Sequence, residues 1–285
     1  MTSNHRLLGN LTYPGGIPPY QCFDVYIPST APPSLDQLII YVHGGAWRSG
    51  DKANAHSIGL IRNLSDHFPT AAICSVNYRL SIGKVNPTSD VKHPSHNMDV
   101  ARAINHAISL PELKNTQNVF LIGHSVGAFM CLSLAGILEP SCPEAPHLSS
   151  STCEKIRGLV LIDGIYDLVK LLEQYPEYKE FVVAAFGEET CDRLQDLQQA
   201  SPLSWTPKVV DPKTLPRILV LHSRQDSLLT ILQSELAATA LKSKLSLGDN
   251  DVETDFDSVS GDHDDLLLSP KLGSRIKSFI DGNSD

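Results

Sequence analysis

NVFLIGHSVGA, residues Asn118 to Ala128, runs from a β-rich apolar segment straight into Gly123-His124-Ser125-Val126-Gly127, and AFMCLSLAGIL continues as a helical stretch. A turn this tight between a buried strand and a helix pushes the central serine hydroxyl out over the edge of a sheet. It tolerates no bulk on either side: a side chain at Gly123 or Gly127 would collide with the neighbouring strand or helix. The helix that follows aims its N-terminus at the hydroxyl and favours negative charge there. Alone, the pattern is short, and a serine at a helix start is commonly only a cap. The strand and helix that flank it turn Ser125 into a candidate nucleophile.

Working outward, short β-rich runs recur at Leu38 to Val42, Ala71 to Val76, Val119 to Gly123, Leu159 to Ile162 and Ile218 to His222. Helical spacing lies between and after them, at Asn97 to Leu110, Val126 to Leu138, Leu228 to Ser243 and Pro270 to Ile280. Such alternation predicts an α/β fold with a mainly parallel central sheet and helices on both faces. No internal repeat is visible, and one domain over residues 1–285 is expected. Residues 81–95, 139–157 and Leu247 to Asp251 read as loops, the second rich in Ser and Pro. Asp167 to Gly187 carries Tyr175, Tyr178, Phe181 and Phe186 between two core strands; it reads as a small cap over a site or a helix packed on the sheet.

Composition sets limits on partners. With 41% hydrophobic and 19% charged residues the chain has the makings of a packed globular core. A net charge of −9 gives no basic surface for nucleic acid, so a small molecule is the expected partner; a homodimer is left open. No apolar run is long enough to cross a bilayer, and MTSNHRLLGN has no apolar core to act as a secretion signal, so a cytoplasmic protein is expected. On the same ground the acceptor patterns at Asn10 and Asn63 are assigned no glycan. Cys22, Cys74, Cys131, Cys142, Cys153 and Cys191 show no CxxC spacing and are expected as free thiols. Metal-ligand spacing such as HExxH is lacking, and no cofactor is expected.

A nucleophilic serine needs an oxyanion site, a base and an acid. The strand LIIYV ends in His43-Gly44-Gly45-Ala46-Trp47, where the N–H groups of Gly44, Gly45 and Ala46, with that of Val126, are candidates to bind a tetrahedral oxyanion. His43 precedes the nucleophile and is expected to orient this loop. After the strand ending in His222 comes Ser223-Arg224-Gln225-Asp226, and near the C-terminus stands Gly261-Asp262-His263-Asp264-Asp265. Nucleophile, acid, base is the order of the GxSxG folds, which assigns the acid to Asp226 and the base to His263, the only histidine after it. Asp163, Asp167 and Asp262 are rival carboxylates. His222 is expected to support the Asp226 loop.

With HGGAW, GHSVGA, HSRQD and GDHDD in this order, the chain resembles the hormone-sensitive-lipase-like branch of the α/β-hydrolases and, within it, the fungal kynurenine formamidases (arylformamidases). The stretch Asp163-Gly164-Ile165-Tyr166-Asp167-Leu168, followed by Tyr175-Pro176-Glu177-Tyr178, is also similar to that family's approach to its cap. The resemblance implies an α/β-hydrolase fold and a cofactor-free hydrolysis of N-formyl-L-kynurenine to L-kynurenine and formate, a step from tryptophan towards NAD. It carries nucleophile, acid and base onto Ser125, Asp226 and His263. Ala46 in place of a third glycine, and GHSVGA rather than GDSAGG, favour a formamidase over a general esterase. Trp47 and Tyr166 are expected to wall the aromatic ring, and Arg48 or Arg79 to meet the substrate carboxylate, although Arg79 reads better as a brace of the fold. The alternatives are a small-acyl carboxylesterase and a non-catalytic binding protein on the same fold.

Overall fold

Two strands outside the sequence expectation, β1 (His5–Leu11) and β2 (Phe23–Pro28), open the chain and pair antiparallel. They are followed by β3 (Gln37–Val42), α1 (Ala55–His67), β4 (Ala72–Val76), α2 (Ser95–Ser109), β5 (Asn118–His124), α3 (Val126–Leu134), β6 (Leu138–Glu139), α4 (Ser150–Cys153) and β7 (Ile156–Ile162). Four short helices come next: α5 (Leu168–Gln174), α6 (Lys179–Phe186), α7 (Glu188–Asp192) and α8 (Leu194–Ala200). The chain closes with β8 (Thr206–Pro207), β9 (Arg217–Leu221), α9 (Leu232–Leu245), β10 (Val252–Asp255) and α10 (Pro270–Asp281). This computed structural model describes residues 4–30, 35–81, 91–140, 147–209 and 214–282. Much of the first two expected loops, with Cys142, lies outside the described residues.

One eight-stranded sheet has the order β1-β2-β4-β3-β5-β7-β9-β10. From β4 to β10 all neighbours are parallel; β2 alone runs the other way, so both of its pairings, with β1 and with β4, are antiparallel. Parallel neighbours require crossovers, and the crossovers deliver helices to both faces. The period-2 alternation of a strand sorts the core: Leu38, Ile40 and Val42 of β3 face one layer, Ile39 and Tyr41 the other. The first layer is closed by α2, α3 and α9, the second by α1 and α10. Helix α3 stops at Leu134, short of the expected Leu138, because Gly136 turns left-handed (φ 74°) and Leu138–Glu139 pairs with β8. The five described cysteines are free, and no described helix is long and apolar enough to cross a membrane.

Register aligns the carboxyl ends of the central strands. His124 pairs with Ile162 and Ile162 with Leu221. One residue further, Ser125 N–H donates to Ile162 O (2.8 Å) and Asp163 N–H to Leu221 O (3.0 Å). Ser125, Asp163 and His222 therefore stand side by side where three strands end. This edge is where open parallel sheets bind ligands.

Candidate active site

Ser125 leaves β5 with φ 54° and ψ −121°, a conformation that costs on the order of 1–3 kcal/mol for a residue with a side chain. Its surroundings force this turn. A Cβ on Gly123 would stand 2.4 Å from Gly127 O, and one on Gly127 would stand 2.1 Å from Val42 O. Both glycines thus serve close backbone approach, as the spacing predicted. The residue is 5% exposed, and its hydroxyl forms no hydrogen bond among the described residues.

Across from it runs the loop after β3. Gly45, Ala46 and Trp47 have φ of 104°, 51° and 56°, three successive residues in a region that side chains disfavour. What holds them is packing below. Tyr78 stacks on His43 (ring centroids 4.4 Å apart), and its hydroxyl donates to the carbonyls of His43 (3.1 Å) and Gly44 (3.0 Å). His43 Nδ1–H donates to Gly44 O (2.8 Å), and burial lowers the pKa of this ring to about 4. His43 is therefore a neutral loop support, as its position implied. With the Gly44 carbonyl held by Tyr78 and His43, Gly44, Gly45 and Ala46 have N–H groups that donate no hydrogen bond among the described residues. A Cβ on Gly44 would stand 2.9 Å from Ser125 Cβ, so this backbone lies against the serine.

The third and fourth stretches meet at the same edge. His263 Nδ1–H donates to Asp226 Oδ2 at 2.6 Å, and Asp226 Oδ1 accepts from the N–H groups of Leu228 (2.8 Å) and Leu229 (2.9 Å). His263 is 6% exposed. Burial favours its neutral ring, but the Asp226 hydrogen bond and charge outweigh burial and raise its pKa. Of the rival carboxylates, Asp167 caps α5 by accepting from Lys170 N–H. Asp262 Oδ1 accepts from the N–H groups of Ser227 and His263 (both 2.8 Å) and so clamps the His263 loop to the Asp226 loop. Those hydrogen bonds, Ser227 first, lower its pKa.

One residue escaped the sequence reading, and two that it named, Tyr175 and Tyr178, have a role it did not foresee. His124 Nε2–H donates to His263 O (2.9 Å), tying the residue before the serine to the His263 loop. Its ring, pushed well below the usual histidine range by burial and by His263, stays neutral. The only sequence signal for it was its place inside GHSVG. Tyr178 OH donates to Leu228 O (2.7 Å) and Tyr175 OH accepts from Thr230 N–H (2.8 Å), which fastens the segment around α5 and α6 over the Asp226 loop.

Trp47 and Tyr166, expected to face a substrate ring, are both fully buried. Trp47 is wedged edge-on between Phe129 of α3 (5.3 Å) and Phe186 of α6 (5.1 Å), so it joins the loop after β3 to both helices. Tyr166 lies beneath Gly164, whose missing side chain leaves room for the phenol. Arg79 grips the buried Asp99 with Nε (2.7 Å) and Nη2 (2.9 Å) and braces the fold. Arg48 remains half exposed, over the Phe181 ring at 5.7 Å.

Ligand atoms of His124, His263 and Asp264, and those of Asp163, His222 and Asp226, lie within 4.8 Å of one another, a spacing that would admit an ion. In both groups hydrogen bonds to protein partners already occupy ring nitrogens. A cavity of about 120 Å³ borders the glycine loop, among His43, Gly44, His124 and Asp264. The larger hollow of about 550 Å³, among Asp36, Arg157 and Arg217, sits at the opposite ends of the strands. Its size is outweighed by its distance from any group that could react.

Sheet order and serine turn together define an α/β-hydrolase. Solved structures share the fold: a carbohydrate esterase from gut microbiota (TM-score 0.73, 17% identity, 100% of this chain and 98% of that one) and esterase B of Lactobacillus rhamnosis (TM-score 0.71, 16% identity, 99% and 86%). The chain belongs to the BD-FAE family, whose model matches residues 23–241, and to the kynurenine formamidases. The kynurenine formamidase of Meyerozyma guilliermondii is 33% identical over 248 residues, 87% of this chain and 85% of the relative. That of Eremothecium gossypii is 31% identical, over 84% and 90%.

Proposed function

We propose that this protein is a cytoplasmic serine hydrolase that cleaves the formamide of N-formyl-L-kynurenine to L-kynurenine and formate, using no cofactor. Ser125 is the nucleophile, His263 the base and Asp226 its carboxylate partner. N–H groups of Gly44, Gly45, Ala46 and Val126 receive the oxyanion. The observation that carries this reading is the 2.6 Å bond between His263 Nδ1 and Asp226 at the edge where the strained Ser125 emerges.

That bond fixes the proton on Nδ1 and leaves Nε2 as the acceptor. His263 takes the Ser125 proton as the oxygen attacks the formyl carbon, and Asp226 stabilises the imidazolium. Preorganised N–H groups, each worth on the order of 3 kcal/mol at the transition state, hold the negative oxygen. Collapse breaks the C–N bond; His263 returns its proton to the aromatic amine, and kynurenine leaves. Water, deprotonated by the same ring, then releases formate from the formyl-serine. A formyl group carries only hydrogen beyond its carbonyl, which suits a serine pressed closely by the Gly44 backbone.

The decisive experiment follows kynurenine release from N-formylkynurenine by absorbance, for the native chain and Ser125→Ala. A drop in kcat of roughly four to six orders of magnitude is expected. Turnover of short p-nitrophenyl esters with none of the formamide would reassign the substrate. Absence of hydrolysis and of fluorophosphonate labelling at Ser125 would favour a binding protein.

A further inference from the structure

Beside the Asp226–His263 pair lies a second carboxyl group that the reaction as described leaves idle. Asp163 is completely buried and holds φ 42°, a strained value for a non-glycine residue. Its Oδ1 accepts from Ser223 N–H at 2.9 Å. Its Oδ2 is sealed from solvent and receives no hydrogen bond from any described donor. A carboxyl oxygen of Asp163, one of Asp226 and a ring nitrogen of His222 all lie within 4.8 Å of one another.

Apart from the Ser223 N–H, no group facing Asp163 is free to compensate a second negative charge. His222 Nε2–H donates to Leu229 O (3.0 Å), so Nδ1 is the bare nitrogen and accepts from Ser234 Oγ (2.9 Å). Buried and with its pKa lowered, this ring offers Asp163 neither a proton nor a cation. Tyr166, also adjacent, keeps its phenol proton, since burial raises it well above the usual range. The one nearby group that gains positive charge is His263, and its Nδ1 is already committed to Asp226. Two carboxylates in one dry site do not both ionise. Asp226 has three donors for its charge and Asp163 has one, so the proton belongs to Asp163.

We propose that Asp163 is a positioning residue, a buried protonated carboxyl whose Oδ2–H donates to Asp226 and holds that carboxylate in line with His263. This rests on the catalytic reading above. The hydrogen bond would satisfy the orphaned oxygen, and burial beside Asp226 pushes the Asp163 pKa well upward in the same sense. The donor also restrains how strongly Asp226 attracts the imidazole proton, so it helps set the acid limb of the rate profile.

Asp163→Asn separates a neutral donor from a charge, because the amide imitates a protonated carboxyl. The readouts are the pH dependence of fluorophosphonate labelling at Ser125 and infrared difference spectra, which need no knowledge of the natural substrate. We expect the acid-limb midpoint to move by less than about 0.3 pH units, whereas loss of an ionised neighbour would lower it by about one unit. Asp163→Ala, with no donor, should slow labelling by roughly 10- to 100-fold. Wild-type protein at neutral pH should show a protonated-carboxyl C=O band that Asp163→Asn lacks. No such band, or a one-unit fall of the limb in Asp163→Asn, would overturn the proposal while Ser125 still labels. A retained band with Ser125 never labelled would instead sink the catalytic reading, and the positioning role with it.

Discussion

Asp226→Asn tests the site at its narrowest point. The amide keeps Oδ1 as acceptor for the Leu228 and Leu229 N–H groups, so the loop retains the bonds that shape it. What changes lies 2.6 Å from His263: an oxygen that accepted the Nδ1 proton becomes an NH2 that donates one. The imidazole responds by moving its proton to Nε2, the nitrogen that must accept from Ser125. From this inverted tautomer, kcat should fall about 10⁴-fold, equivalent to about 5 kcal/mol at the transition state. Steady-state kinetics on N-formylkynurenine measure the loss, and an unchanged thermal melt shows that the fold survives. A folded variant retaining more than about a thirtieth of the native kcat would refute the claim that Asp226 sets the tautomer of the base.

Three further outcomes follow from the geometry. Gly127→Ala places a Cβ 2.1 Å from Val42 O, a backbone atom that cannot swing away, so urea denaturation should show a loss of about 1–3 kcal/mol together with lowered activity. Because Asp226 raises the pKa of His263 despite burial, the base is lost to protonation as pH falls through a value above the ordinary 6.5; a kcat/KM profile with its acid midpoint below 6.5 would contradict this. Trp47→Ala removes a fully buried ring from between α3 and α6 and should cost about 3–5 kcal/mol of stability. If Trp47 instead touches substrate, KM would rise with stability little changed.

The parallel core was readable because each of its strands is buried on both faces and so appears as a continuous apolar run. The edges were not. β10, VETD, is a short segment in which Glu253 and Asp255, both paired with Arg275, dilute the strand preference of Val252 and Thr254. Helix α1 did carry a signal, Asn54 capping Ser57 N–H ahead of Leu60, Ile61 and Leu64, but its surrounding polar residues diluted the period. At the site, order and turn chemistry singled out Ser125, Asp226 and His263 as candidates, and the fold brings the last two into one hydrogen bond at the edge where the first emerges. The exposure of Trp47 was not legible in the sequence, since it depends on where α6 docks. Nor was the closeness of Asp163 to Asp226, which arises from the register of β7 against β9.

Of the six described non-glycine residues with positive φ, Asn10 and Ser246 lie apart and the other four gather at one edge of the sheet. Ser125 and Asp163 have positive φ, and each stands one residue beyond a central parallel strand; Gly45, Ala46 and Trp47 follow three to five residues after another. Such conformations persist only where the neighbourhood over-determines them. Here the ladder supplies the determination: Ser125 N–H is fixed to Ile162 O, Asp163 N–H to Leu221 O, and the Gly44 carbonyl to Tyr78. The residues that must be held against their own preference are therefore those nearest the most rigid part of the sheet. The histidine and acid that complete the site sit on longer loops, and side-chain clamps from Asp262, His124 and Tyr178 replace the ladder there. Weakening a clamp should loosen the base while leaving the serine turn intact, which would show as lost kcat with preserved global stability.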